Sequence, residues 1–338
     1  MKLIKTTDAV GHVLCHDLTR IVPGEFKGAQ FRKGHVVTEE DIPILLSMGK
    51  ENLYIFELDE NMLHENDAAE ILCKLCKGEN IDRSEVKEGK IELTAACDGC
   101  FSLDADRLYQ INSIDEIMIA TRKGYTAVRK GDKLAGTRVI PLVIDRKKLK
   151  EAETIANDTP LMNVVPYRLK TAAVITTGSE VFHHRIADKF TPVLIEKLKA
   201  YGITVTEHLT VDDGIDNITD AINAVRNNVD IILCTGGMSV DPDDNTPGAI
   251  KQSGASIVTY GAPVLPGAMF LLGYFDDGTP ILGLPGCVMY AKATIFDLVM
   301  PRIAAGIPLT KTDFVKYGEG GLCLGCPECT YSHCPFGK

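Results

Sequence analysis

The sequence lacks any uninterrupted apolar run near the ~18 residues that a helical membrane span needs, so no membrane partner is expected. It also lacks a basic excess: 36 Lys and Arg stand against 46 Asp and Glu, for a formal net charge of −10. Nucleic acid is held largely through its phosphates by cationic side chains, so this balance argues against a nucleic-acid partner. The opening, MKLIKTTDAVGHVL, has no apolar stretch followed by a small-residue cleavage site, and a cytoplasmic location is expected on that ground.

What is present is an ordinary globular composition, 338 residues at 45% hydrophobic and 24% charged. That is enough chain for a large core in two or three domains. The eleven cysteines are an odd number, and four of them fall within residues 323–334. Without an export signal, such crowding points to metal or cluster ligation over disulfides.

Residues 171–249 organise the rest. The apolar runs at 172–176 and 229–234 each end in a Thr-Gly turn, Thr177-Gly178-Ser179-Glu180 and Thr235-Gly236-Gly237-Met238-Ser239. Short apolar runs bounded by glycine turns read as buried parallel strands. Further strands are expected at 203–208, 256–260 and 280–284, with helices at 188–201, 214–227, 246–253 and 287–304. Ile215, Ile218, Ile222 and Val225 recur at spacings of three and four, one face of a helix. The expected fold is α/β, a doubly wound, mostly parallel sheet, preceded by a small β-rich α+β region. The expected domains are 1–165, 166–308 and a cysteine-rich tail, 309–338.

In the N-terminal region, Thr38 with Asp41 forms a capping-box-like start for a helix stopped by Gly49, and Leu53–Phe56 reads as a strand. Cys73 and Cys76 fall one turn apart on an amphipathic helix, which places them in its core. Cys97 and Cys100 lie on a turn-like segment that could supply half of a metal site. Gly124 and Gly131 divide residues 111–145 into short strands.

Open parallel sheets bind ligands at the carboxyl ends of their strands, where the two polar turns stand. Glu180, Asp212, Asp213, Asp241, Asp243 and Asp244 bring carboxylates there, and Gly178, Gly236 and Gly237 let a ligand approach backbone amides. Asn245-Thr246-Pro247 reads as a helix start, with Thr246 as N-cap and free N–H groups for an anion. Carboxylates beside an anion site are reconciled by a hard cation such as Mg²⁺ bridging to phosphate oxygens. The competing structural reading has Asp212 or Asp213 capping the helix near Gly214, Ser179 capping the segment after the first strand, and Asp241-Pro242 making a turn. His183 and His184 could bind a metal, but neighbours on a helix point apart, so they read as solvated or packed against a partner.

The tail carries Cys323, Cys326, Cys329 and Cys334-Pro335 at spacings x2, x2 and x4. A bacterial ferredoxin run has x2, x2 and x3, and Zn²⁺ on four thiolates fits as well. His333 could replace one thiolate. Gly318-Glu-Gly-Gly321 reads as a flexible hinge ahead of the tail.

The Thr-Gly-Ser-Glu turn, Val211-Asp212-Asp213, Thr235-Gly-Gly-x-Ser239 and Leu284-Pro285-Gly286 together resemble the molybdopterin-binding domain of molybdenum-cofactor biosynthesis, over about residues 169–305. The resemblance implies molybdopterin or adenylylated molybdopterin as ligand, with Mg²⁺ and molybdate. Glu180, Asp213 and Asp244 would be the catalytic acids, flanked by Thr177, Gly178, Ser179, Asp212, Asp241 and Thr246. Thr235, Gly236, Gly237 and Ser239 would cradle the ligand, and Pro285 and Gly286 would line the opposite wall. The implied reaction is a molybdenumtransferase step, molybdate insertion with loss of AMP, and self-association into a homo-oligomer. The chain departs from the family pattern at Ala268, where lysine is common, at Cys287-Val288 after Leu-Pro-Gly, and at Asp241-Pro242. A carrier or sensor of molybdenum cofactor, or a nucleotide-pyrophosphate hydrolase of the competence/damage-inducible family, are the other readings. The latter resembles this chain at Asp243-Asp244-Asn245-Thr246.

Overall fold

The computed structural model describes residues 2–22, 26–55, 61–239, 241 and 244–338. Phe56 of the expected strand, Pro242 of the expected turn and Asp243 lie outside the described residues. The chain forms two compact units, one of Met1–Cys97, Phe101–Gly124 and Arg129–Val164, the other of Asp98–Cys100, Tyr125–Val128 and Val165–Lys338.

In the first unit, Lys2–Lys5 pairs antiparallel with Asn52–Ile55, and Leu18–Val22 with Phe26–Phe31. Leu53 and Ile55 point inward while Asn52 and Tyr54 face solvent, the period-two alternation of a half-buried strand. The helix Asp41–Ser47 buries Leu45 against Leu14, Phe31, Val37 and Leu53. The expected cap is only half made: the helix begins at Asp41 behind Glu40. The Asp41 carboxylate reaches back to accept from the Thr38 N–H at 2.8 Å and hydroxyl at 2.9 Å. Helix Glu65–Cys76 places Cys73 and Cys76 in the interior, as its amphipathic pattern predicts. An antiparallel sheet follows in the order Ile81–Arg83, Lys90–Ala95, Lys133–Val139, Ile117–Thr121.

The second unit is built on six strands: β1 Thr171–Thr177, β2 Thr204–Val211, β3 Ile231–Thr235, β4 Ser256–Tyr260, β5 Leu271–Tyr274 and β6 Pro280–Leu284. Their order is β2-β1-β3-β6-β5-β4. The first four strands in that order are mutually parallel, and β5 and β4 run antiparallel at one side. Successive residues of each central strand feed opposite faces. Val174, Leu233 and Leu282 pack with Leu194 and Leu198 of α2 (Phe190–Lys199) and with Phe296 and Val299 of α5 (Ile295–Ala304). Ile175, Ile232 and Ile281 pack with Ile218, Ile222 and Val225 of α3 (Ile215–Val225) and with Ile250 of α4 (Thr246–Gln252). Helices on both faces of a largely parallel sheet make the unit doubly wound.

Three expectations change. Strand β5 was not foreseen. The helix expected over 287–304 divides into a 3₁₀ turn, Gly286–Met289, and α5, which restarts where Thr294 and Asp297 form a reciprocal capping box. The Gly318–Gly321 stretch is no loose hinge. It follows α6 (Lys311–Lys316), and a Cβ on Gly321 would overlap the Tyr317 carbonyl and sit 2.6 Å from the Pro263 carbonyl oxygen. The glycines there serve close backbone approach. No described helix is long and apolar enough to cross a membrane.

Candidate functional site

Register builds the site. Thr177 pairs with Val211, Thr176 with Thr235, and Thr235 with Leu284. Hence Gly178-Ser179, Asp212-Asp213, Gly236-Gly237 and Pro285-Gly286 all leave the sheet at the carboxyl ends of four adjacent parallel strands, the place where such sheets take ligands.

The first group joins β1 to β2. Gly178 (φ 133°) turns the chain into the short helix α1, Ser179–Phe182. The Ser179 N–H donates to Asp213 Oδ2 at 2.9 Å, and its hydroxyl donates to Asp212 Oδ1. That hydroxyl bond, ahead of the pull of nearby His183, holds the Asp212 carboxyl below its usual range. His183 Nε2 stands 3.6 Å from Asp212 Oδ2, a neighbour the sequence had not assigned. The acids therefore do not cap α3, whose N-cap, Gly214, has no side-chain bond. Glu180 is exposed and folds back, its Oε2 3.3 Å from where a Cβ on Gly178 would stand.

The second group joins β1, β3 and α4. Thr177 Oγ1 donates to the Thr235 carbonyl at 3.1 Å and lies 3.3 Å from Thr246 Oγ1. Thr246 Oγ1 in turn donates to the Gly236 carbonyl at 2.9 Å. Thr246 is thus the first residue of α4 and not its cap, which is Asn245. Gly236 (φ 87°) is required by packing, because a Cβ would overlap the Thr177 carbonyl. Gly237 (φ 54°) would press its Cβ to 3.0 Å from Thr246 Oγ1. The Thr235 hydroxyl is wholly buried and has no hydrogen-bond partner among the described residues. A buried polar atom left unpaired is costly, so the floor is held by the Thr177 and Thr246 bonds and not by this hydroxyl.

The third group is the rim. Tyr260 Oη donates to the Met238 carbonyl at 3.0 Å and stands 3.3 Å from that of Ser239. Burial, then the charge of Asp244, pushes the Tyr260 phenol up. Asp241 is exposed, and its carbonyl accepts from the Asp244 N–H at 3.0 Å. Tyr260 was missed in the sequence because it lies at the end of an antiparallel strand, far along the chain from the turn it staples. A second missed cluster lies at the head of α2. Asp188 Oδ2 accepts from Thr176 at 2.9 Å and from Thr191, with His208 Nε2 at 3.2 Å. Burial works to raise Asp188, but hydrogen bonds from Thr191, Thr176 and Phe190 outweigh it and hold the carboxyl low.

The tail forms a separate concavity. Cys323, Cys326, Cys329 and Cys334 all line one cavity of about 180 Å³, with Pro266 and Lys292 on its wall. His333 is not among its lining residues. Among the described residues, no group of three or more His, Cys, Asp or Glu side chains converges as a single-ion centre, either here or at the strand ends.

Comparison with known proteins agrees with the six-stranded unit. Residues 173–305 match the family model described as a probable molybdopterin binding domain, and residues 3–57 match a domain of unknown function (DUF8806). A CinA-like protein of Pseudothermotoga lettingae is 36% identical over 85 residues, 25% of this chain and 21% of the relative. The chain thus spans about a fifth of the length of the curated relatives it matches. The molybdopterin biosynthesis enzyme MoaB of Thermus thermophilus is 19% identical with a TM-score of 0.33, over 42% of this chain and 99% of that one. The tungsten cofactor synthesizing protein MoaB of Pyrococcus furiosus gives 17% and 0.31, over 46% and 98%. Over residues 173–305 the chain is similar to molybdopterin-binding domains of molybdenum-cofactor biosynthesis.

Proposed function

We propose that the strand-end row binds molybdopterin or its adenylylated form and acts in molybdenum-cofactor biosynthesis. The observation that carries this reading is the threonine-tied floor at the carboxyl ends of the parallel strands, set in the domain that matches the molybdopterin-binding model. The Gly236 and Gly237 backbone and Ser239 cradle the ligand, and Pro285 and Gly286 flank it on the neighbouring strand end. In the fuller form of the reading, molybdate is inserted and AMP leaves. Glu180, Asp213 and Asp244 then face the phosphates with Mg²⁺ between. Mg²⁺ is usually held by one or two carboxylates plus substrate phosphates and waters, so a site completed by the ligand suits acids that do not converge beforehand. The ion would neutralise phosphate charge beside these acids. A thiolate-bound metal, Zn²⁺ or an iron–sulfur cluster, belongs to the tail, and a homo-oligomer is the expected assembly.

Ala268 puts no cation where the resembling family commonly has lysine, which favours a carrier of the cofactor as the second reading. The matches to CinA-like proteins favour nucleotide-pyrophosphate hydrolysis as a third.

Binding of molybdopterin and adenylylated molybdopterin is measured with and without Mg²⁺, then molybdate is added and AMP is followed. Molybdate-dependent AMP release supports the transferase step. Tight binding without AMP supports the carrier, and cleavage of a nucleotide pyrophosphate without pterin binding supports the hydrolase. Asp244→Asn is expected to weaken Mg²⁺-dependent binding by about tenfold, the scale of one lost charge-assisted contact. Unaltered binding would remove the metal bridge from the reading.

A further inference from the structure

We propose that Cys323, Cys326, Cys329 and Cys334 hold one cubane [4Fe–4S] cluster in the cavity they line, and not a single Zn²⁺. This rests on the assignment of a thiolate metal to the tail and decides which metal it is.

The tail is fixed to its unit, so its thiols are presented and not dangling. The Cys323 N–H donates to the Leu265 carbonyl, and the Leu265 N–H to the Gly321 carbonyl, each at 2.8 Å. Tyr331 Oη donates to the Asp297 carbonyl at 3.1 Å. Phe336 is 3% exposed in the core beneath α5, and Gly337 lies against Leu298 so closely that a Cβ would overlap it. Cys323 and Cys334 pack on that core, while Cys326 and Cys329 are exposed. Two thiols are seated and two stand outward around the same space.

The last gap decides the count. In the ferredoxin run the fourth thiol of Cys-x2-Cys-x2-Cys-x3-Cys-Pro serves another cluster. Here the gap is one residue longer, and the chain turns through it, with the His333 N–H donating to the Thr330 carbonyl at 2.7 Å. That turn returns Cys334 to the cavity of the other three.

The spread decides the metal. Tetrahedral zinc with Zn–S near 2.3 Å requires its four sulfurs within about 4 Å of one another. Among the described residues these thiols line one cavity, and no three of them form a group that could hold a single ion. A cubane puts each thiolate on a different iron, so its sulfurs stand farther apart around a larger body. The cavity of about 180 Å³ is many times the 10–15 Å³ or so that one water needs. Lys292 is the one cationic residue among those lining the cavity, and a cluster on four thiolates is net negative. Assembly from ferrous and ferric iron in equal amounts with sulfide needs no change of oxidation state: each thiol releases its proton to solvent and forms one S–Fe bond.

The test is to purify the full chain anaerobically, reconstitute it with equimolar Fe²⁺ and Fe³⁺ and with sulfide, and measure iron, sulfide, zinc and the visible absorption. The expected result is about four iron and four sulfide per chain. Cys326→Ser and Cys329→Ser, at exposed positions, should lose most of that iron with the circular dichroism unchanged, and His333→Ala should keep it. One zinc per chain and no iron would overturn the cluster but keep the thiolate metal. No bound metal, or iron unchanged in Cys326→Ser, would overturn both, and pterin binding is measured apart from either.

Discussion

The same spacing, Cys-x-x-Cys, occurs on the helix Glu65–Cys76 and in the tail, and it means different things in the two places. Cys73-Lys-Leu-Cys76 is continuous helix. Both thiols lie in the core, and burial pushes the Cys76 thiol up to about 12. Such a thiol stays protonated and acts as a small apolar side chain. Cys323-Leu-Gly-Cys326 is interrupted by Gly325 at φ 63°, and both thiols line a cavity. Spacing proposes a ligand pair. Whether the residues between them keep the chain helical or turn it around a space decides whether the pair is filler or a site. The strand ends repeat the contrast with glycine: Gly236 is filled by the Thr177 backbone, while Gly286 has nothing within 4 Å of an added Cβ.

The largest effect separates the two cysteine pairs. Cys326→Ser is expected to abolish most bound iron and Cys73→Ser to leave it unchanged, by iron per chain; equal losses would erase the contrast. Next come the glycines. Gly236→Ala is expected to destabilise by about 3 kcal/mol, from positive φ and overlap together, seen as a lower urea midpoint. Gly286→Ala should leave the midpoint unchanged and affect only pterin affinity. Third, Cys76→Ser buries a hydroxyl where a thiol packed, and a loss of about 1–3 kcal/mol is expected; Cys329→Ser without metal should lose almost none. The smallest effect is a pH one. Asp188 is held below its ordinary value of about 4, so as pH falls the unfolded chain takes up this proton first. The stabilisation is present above about pH 4 and is lost as pH falls through the lower folded value. Asp188→Asn should flatten the stability profile below about pH 4, where this stabilisation is lost.

The parallel strands were legible because each is a short apolar run closed by a polar turn. Strand β5 was not: its run, Met269-Phe-Leu-Leu-Gly-Tyr274, sits between Pro266-Gly267 and a turn, and periodicity cannot tell such a run from a buried loop. The break before α5 was readable in Thr294-Ile-Phe-Asp297, the spacing of a capping box, but an apolar stretch on both sides concealed it. At the site, sequence located the turns and the polar residues. It did not show that Asp212 and Asp213 hold Ser179, or that Gly236 answers to Thr177, because those partners are 33 to 59 residues apart along the chain. Tyr260 stands 22 residues from Met238, and Asp188 joins Thr176, 12 residues before it, to Thr191, three after it, across the turn between strand and helix.

The threonine ties from Thr177 to Thr235 and from Thr246 to Gly236 bear on the speed of binding as well as its strength. Two strand ends and the start of a helix are locked together before any ligand arrives, so little side-chain or loop ordering remains to oppose association. Encounter with this floor should be limited by diffusion and orientation, and differences among related pterins should appear in how long each stays.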